Sequence, residues 1–241
     1  MILDIDVGNS SVKWRLRGSN GAEQSGRFGH DEVTAGLTRL NSARLAKIRV
    51  CSVVASVTET IRGWGEANGK EVRVAAVKDG AGGIRCGYRD PARLGIDRWL
   101  AMLAARQRCQ AAILVIDAGT ALTADLVDAD GFHLGGYIVP GLAAMTKALG
   151  DHTWGVRVDR AASASVDPGR ATEEAVNHGC LLAALGLVEA LLARHGVGSV
   201  FLTGGDAEPL ARVLRLGDNR QGLEIIVAPN LVLDGLSVAI D

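Results

Sequence analysis

The chain of 241 residues is long enough for one large domain or two small ones, each able to bury a core. Its 48% hydrophobic and 22% charged content is that of an ordinary globular protein and excludes a disordered one. A formal net charge of -1 carries no electrostatic footprint for nucleic acid or an anionic membrane, so a small-molecule protein is expected.

The opening residues contain no basic stretch followed by a long apolar run and a small-residue cleavage site, so no secretory leader is expected. Residues 2–7 and 12–17 alternate as two strands of a hairpin, and the turn between them reads Asp6-Val7-Gly8-Asn9-Ser10-Ser11-Val12-Lys13. In such a turn Gly8 is expected to take φ > 0 and expose successive backbone N–H groups, a concave donor surface for phosphate oxygens. Asn9 and Ser10 add donors. Asp6 would repel a bare phosphate, so a hard cation such as Mg²⁺ or K⁺ is expected to accompany it.

Residues 24–28 supply a third strand, 31–40 a helix, 47–54 a strand, 58–68 a helix and 72–77 a strand. Three strands, helix, strand, helix, strand is the order of a ribonuclease H-like half. Gly65 to Lys70 superficially suggests a nucleotide loop, but the spacing of its glycines is wrong and Glu71 stands where Ser or Thr is needed. Residues 78–94 have the Gly, Asp, Arg and Pro content of a loop, and Gly95-Ile96-Asp97-Arg98-Trp99 opens a helix. At that position Asp97 is either a first-turn acid favoured by the helix dipole or a general base with Arg98 as an anion clamp.

The second half repeats the figure. Residues 112–117 and 122–127 flank the turn Asp117-Ala118-Gly119-Thr120, with Gly119 again expected at φ > 0 and Thr120 as a donor. A third strand over 132–139 carries Gly135-Gly136, which marks either a bulge or the close approach of another backbone or ligand. A helix follows over 142–151, a loop over 163–169, and a long helix over 172–195 that is apolar nearly all round. Thr172 is expected to cap it. The strand 199–203 ends in Thr203-Gly204-Gly205-Asp206, a turn whose glycines leave room for a nucleotide, and 223–227 and 229–240 close the second half. The domains are therefore expected at 1–110 and 111–241. The segment 180–193 falls short of the roughly 20 residues of a membrane span. Cys51, Cys86, Cys109 and Cys180 are far apart and read as reduced core residues of a cytoplasmic protein, and the five histidines form no metal-ligand pattern.

The ordered set Asp6-Val7-Gly8-Asn9-Ser10 with Lys13-Trp14, Gly95-Ile96-Asp97-Arg98-Trp99, Asp117-Ala118-Gly119-Thr120-Ala121, Gly135-Gly136-Tyr137-Ile138-Val139-Pro140-Gly141, Thr172 with Gly179, and residues 229–236 resembles the type III pantothenate kinases. The resemblance spans nearly the whole chain. It implies an α/β fold of duplicated ribonuclease H-like domains of the actin-like ATPase superfamily, with mixed sheets and helices on both faces, a homodimer, and ATP-dependent phosphorylation of pantothenate. It further implies that residues 6–13 (Asp6, Val7, Gly8, Asn9, Ser10, Ser11, Val12, Lys13) and Thr120 contact ATP, with Asp6 holding Mg²⁺, in one alternative through water. Asp97 is then the base. Tyr88, Gly95, Ile96, Asp97, Arg98 and Thr172 bind pantothenate, and Asp117 binds an activating K⁺ or NH₄⁺. Arg98 is left facing either the substrate carboxylate or the transferring phosphoryl group. Another phosphotransferase of the same superfamily and a non-catalytic regulatory accessory protein are the alternatives.

Overall fold

The computed structural model describes residues 1–18, 21–41, 43–152, 165–217 and 222–240. The chain divides into two compact units, residues 1–107 with 230–241, and residues 108–229.

In the first unit the strands β1 (Ile2–Val7), β2 (Val12–Arg17) and β3 (Glu23–Phe28) form an antiparallel meander, followed by α1 (Val33–Leu40), β4 (Lys47–Ser52), α2 (Ala55–Ala67) and β5 (Glu71–Val74). The sheet order is β3-β2-β1-β4-β5, with β4 and β5 parallel to β1. Single 3₁₀ turns at Ala81–Gly83 and Pro91–Arg93 precede α3 (Ile96–Arg108).

Strand alternation gives this sheet two different faces. Leu3, Ile5 and Val7 of β1, Val12 and Leu16 of β2 and Ile48 and Val50 of β4 join Val33 and Leu37 of α1 and Val57 and Ile61 of α2 in one core. The other face is polar. Asp4, fully buried, accepts from Arg49 Nε at 2.7 Å, Arg17 Nη2 at 3.0 Å and Arg15 Nη2 at 3.4 Å.

The second unit repeats the plan with β6 (Ile113–Ala118), β7 (Ala121–Val127), β8 (His133–Pro140), α4 (Leu142–His152), α5 (Thr172–Arg194), β9 (Ser199–Thr203), α6 (Ala207–Leu216) and β10 (Glu224–Val227). Its order, β10-β9-β6-β7-β8, is the first sheet's read backwards, so the expected duplication and the mixed sheets are present. Leu114, Ile116, Leu122 and Ala124 pack against Leu181, Leu185 and Val188 of α5 and Leu210 and Leu214 of α6. Of the 163–169 loop, residues 163 and 164 lie outside the described residues.

Several expectations need correction. Residues 229–240 do not close the second half. The final helix α7 (Leu231–Ala239) belongs to the first unit, where Gly235 lies against the backbone of Leu100 so closely that a Cβ would sit 2.1 Å from its carbonyl oxygen. Arg49 Nη1 donates to the Ile240 carbonyl at 2.9 Å, and Arg15 pairs with Asp234. Thr172 is not the cap of α5: that place is taken by Ala171, whose side chain offers no acceptor, and Thr172 is the first helical residue. Helix α2 begins at Ala55, three residues before the expected start, and β4 ends correspondingly early because Ser52 Oγ accepts the Val54 N–H at 3.1 Å and turns the chain. Of the two readings of Gly135-Gly136 the bulge holds at Gly135, which has φ 112° opposite a register shift at Leu126/Val127 and open space where its Cβ would be.

Candidate active site

Both hairpin turns sit at the carboxyl end of a strand whose two neighbours run in opposite senses, the place where open α/β sheets collect ligands. In the first unit Asp6 is in register with Lys13 of β2 and Cys51 of β4, and Lys13 with Arg27 of β3. Partners in register share a face, so Arg27, Lys13, Asp6 and Cys51 form one row across four strands. This row lies on the polar face, one step along from the buried Asp4 cluster.

The electrostatics follow from that placement. Burial pushes the Asp6 carboxyl up to about 6; the Lys13 ammonium opposes the rise, the Asp97 carboxylate adds to it, and the Cys51 thiol and Arg27 guanidinium oppose it. Asp97, at the start of α3, is thus close enough to Asp6 to be felt through the protein interior. Asp97 Oδ1 accepts the Arg98 N–H at 2.8 Å and lies 2.6 Å from the point a Cβ on Gly95 would occupy, which is why glycine precedes this turn. Arg98 is 6% exposed, donates from Nη1 to the Tyr88 hydroxyl at 2.7 Å, and stacks with its guanidinium carbon 5.5 Å from the ring centroid. The 78–94 loop that carries Tyr88 is tied to α3 where Gln107 Nε2 donates to the Gly82 carbonyl at 3.2 Å. Tyr88, Gly95, Ile96, Asp97 and Arg98 are therefore gathered in the same unit as residues 6–13.

The raised Asp6 pKa has a stability consequence. A carboxyl that ionises at 3.8 in the unfolded chain and at about 6 in the folded one favours folding at low pH; that stability is lost as pH rises from 4 through 6, about 3 kcal/mol in all. Asp6→Asn should accordingly unfold at higher urea than the parent at pH 7.5, and the difference should shrink toward pH 4. Parallel urea titrations of both proteins across that range check the sign.

In the second unit Asp117 occupies the place of Asp6, in register with Thr123 of β7 and Thr203 of β9. Neither turn glycine behaves as expected: Gly8 and Gly119 both lie outside the left-handed region. Other glycines supply what the turn requires. Gly204, at φ 94°, leaves room for Asp117 Oδ1 and the Ala118 carbonyl, each of which a Cβ there would meet at 2.5 Å or less. Gly141 passes under the Gly119 and Thr120 carbonyls, 2.1 and 2.7 Å from where its Cβ would be. Asp206 N–H donates to the Ala118 carbonyl at 2.9 Å. Gly204 and Gly141 thus let neighbouring backbone close in on the Asp117 turn, and Thr120 is exposed at its tip.

Thr172, exposed at the start of α5, adjoins a cleft in the second unit lined by Ser165, Asp167, Arg170, Glu174 and His178. Sequence reading missed Arg27 and Cys51, because their nearness to Asp6 is a property of strand pairing and not of spacing along the chain. Among the described residues there is no group of three or more His, Cys, Asp or Glu suited to a metal. The single buried carboxylate of Asp6 beside the hairpin turn fits Mg²⁺, which takes one or two carboxylates and completes its shell from phosphate and water.

Residues 2–194 match the family model described as Type III pantothenate kinase. A type III pantothenate kinase of Ectopseudomonas mendocina is 41% identical over 255 residues, covering 99% of this chain and 98% of its own. Among solved structures, a Campylobacter jejuni protein described provisionally as a conserved Baf family transcriptional activator aligns with a TM-score of 0.64 at 22% identity, covering 99% of this chain and 96% of that one. An activator of 2-hydroxyisocaproyl-CoA dehydratase from Clostridium difficile with bound ADPNP aligns with a TM-score of 0.52 at 13% identity, covering 99% and 92%. The two structural likenesses bear on fold, and the sequence relationship bears on family.

Proposed function

We infer the role of each side chain from one premise: the chain belongs to the type III pantothenate kinase family. It is a phosphotransferase that phosphorylates pantothenate at the expense of ATP in coenzyme A biosynthesis, with a divalent metal as cofactor. The observation that carries the assignment of roles is the pairing of Asp6 with Lys13 in one row at the mouth of the first hairpin turn, in the same unit as Asp97 at the start of α3.

In this reading residues 6–13, with Thr120, hold the ATP phosphates, and Lys13 places its charge on them. Asp6 is the protein ligand of the nucleotide-bound Mg²⁺, directly or through water. Bound with ATP, Mg²⁺ supplies neutralisation of the charge that builds on the transferring group. Asp97 accepts the proton of the pantothenate primary hydroxyl. A carboxylate is too weak to strip an alcohol beforehand, but it takes the proton as the bond to phosphorus forms. Arg98, aimed by the Tyr88 hydroxyl, receives the substrate carboxylate, and Gly95, Ile96 and Thr172 complete the pantothenate contacts. ADP release measured with pantothenate, with the product identified by mass, tests the whole assignment; release with another alcohol in preference would favour a sister phosphotransferase.

The Asp117 carboxylate and the carbonyls of its turn support a site for K⁺, which such oxygens coordinate, or for NH₄⁺, which donates its hydrogens to them. Asp117→Ala should flatten the dependence of rate on KCl at constant ionic strength, whereas an unchanged activation curve would place the cation elsewhere. Helix α5 supports a homodimer. It alone among the described residues is long and apolar enough to cross a membrane, yet Cys180, Leu181, Leu185 and Val188 are buried in its own unit while Leu182 is half exposed. Leu134, Tyr137 and Ile138 are further exposed apolar residues on β8, and such surfaces suit a second copy. The four cysteines are thiols outside any disulfide, in keeping with a reducing cytoplasmic setting.

A further inference from the structure

One contact to the first hairpin turn comes from outside it. His30, on the corner between β3 and α1, places Nε2 2.9 Å from the carbonyl oxygen of Gly8. A carbonyl only accepts, so this nitrogen carries the proton. The corner itself is firm: Glu32 N–H donates to the Gly29 carbonyl at 3.2 Å, and Gly29 N–H donates to Glu32 Oε2 at 3.0 Å. Beyond it, Gly36 of α1 lies so close to the Phe28 ring that a Cβ would meet it at 2.7 Å.

The rest of the turn's entry is likewise held. Gly8 N–H donates to the Ser11 carbonyl at 3.1 Å, and the Val7 carbonyl accepts from Val53 N–H at 3.1 Å. The Gly8–Asn9 peptide is trans, and in a planar trans peptide the C=O and the following N–H point in opposite directions. By drawing the Gly8 carbonyl to one side, the imidazole turns the Asn9 N–H to the other. Asn9 and Ser10 are exposed there.

We propose that His30 is a positioning residue for phosphate binding, which orients the Gly8–Asn9 peptide so that the Asn9 amide is presented to the nucleotide's phosphates. The proposal rests on the reading of residues 6–13 as the phosphate cradle. The imidazole acts through the turn and touches no reacting atom. Losing one such hydrogen bond lets the peptide plane rotate, and the amide no longer waits in place.

The test compares His30→Ala, His30→Gln and Lys13→Met by calorimetric titration with MgATP and with adenosine, alongside hydrogen exchange at the Asn9 and Ser10 amides. His30→Ala should weaken MgATP by about 5- to 10-fold, the size of one hydrogen bond, leave adenosine binding unchanged and speed exchange at Asn9. His30→Gln, which keeps an N–H donor, should recover most of the loss. Wild-type MgATP affinity in His30→Ala alongside a loss in Lys13→Met would overturn the positioning role while leaving the cradle standing. Unchanged MgATP affinity in both variants would remove the cradle and the proposal with it. Equal losses for adenosine and MgATP would mark a general structural defect and also overturn it.

Discussion

Asp97→Asn is expected to fold with the parent's stability and to lose kcat by about 10²- to 10⁴-fold, the usual contribution of a positioned base. Asparagine keeps the shape and can still accept the Arg98 N–H that Asp97 Oδ1 accepts at 2.8 Å, so the start of α3 should be undisturbed. It cannot take the proton of the attacking alcohol. Because the carboxylate is assigned to the chemical step, KM for pantothenate should change little while kcat falls. Steady-state kinetics with both substrates saturating in turn separate these. A variant with near-parental kcat would remove Asp97 from the mechanism.

Asp4→Ala should cost about 3–5 kcal/mol, as breaking a buried charge pair from one side does. The carboxylate is fully buried and is the shared anion of Arg15, Arg17 and Arg49. Arg15 and Arg49 have side chains only 5% and 4% exposed. Removing Asp4 strands their charge, and Arg15 then keeps only Asp234, which is itself partly exposed. Exposed pairs set the contrast. Lys147 and Asp151, four apart on α4, are both solvent-facing, and breaking their contact should leave the unfolding midpoint within error. Urea unfolding followed in the first unit for Asp4→Ala, and in the second unit for the Lys147–Asp151 pair, measures the two.

Much of the fold could be read from the chain because the decisive signals are local. Leu3 to Val7 alternates apolar and acidic residues, so the two faces of β1 follow from period alone. Asp6 and Asp117 declared themselves through matching turns. What escaped was set by contacts distant in sequence. The 230–240 helix is apolar on its own account, and nothing in its composition says which sheet it will cover; that is decided by Arg15 reaching Asp234 and Arg49 reaching the Ile240 carbonyl. Arg27 and Cys51 joined the site only once strand order put them in one row with Asp6. The glycine expectation failed for a related reason. Gly8 and Gly119 do mark turns without entering the left-handed region, and the left-handed glycine beside Asp117 is Gly204, which the pairing of β9 with β6 brings there.

The return of the last helix to the first unit fixes the order in which the chain can be finished. As the polypeptide leaves the ribosome, residues 108–229 are all available before the final helix appears, so the second unit can mature while the first still lacks a wall. Until then the arginines that meet Asp234 and the Ile240 carbonyl lack those partners. Premature termination near residue 229 would therefore cripple the earlier-made half of the protein and spare the later one.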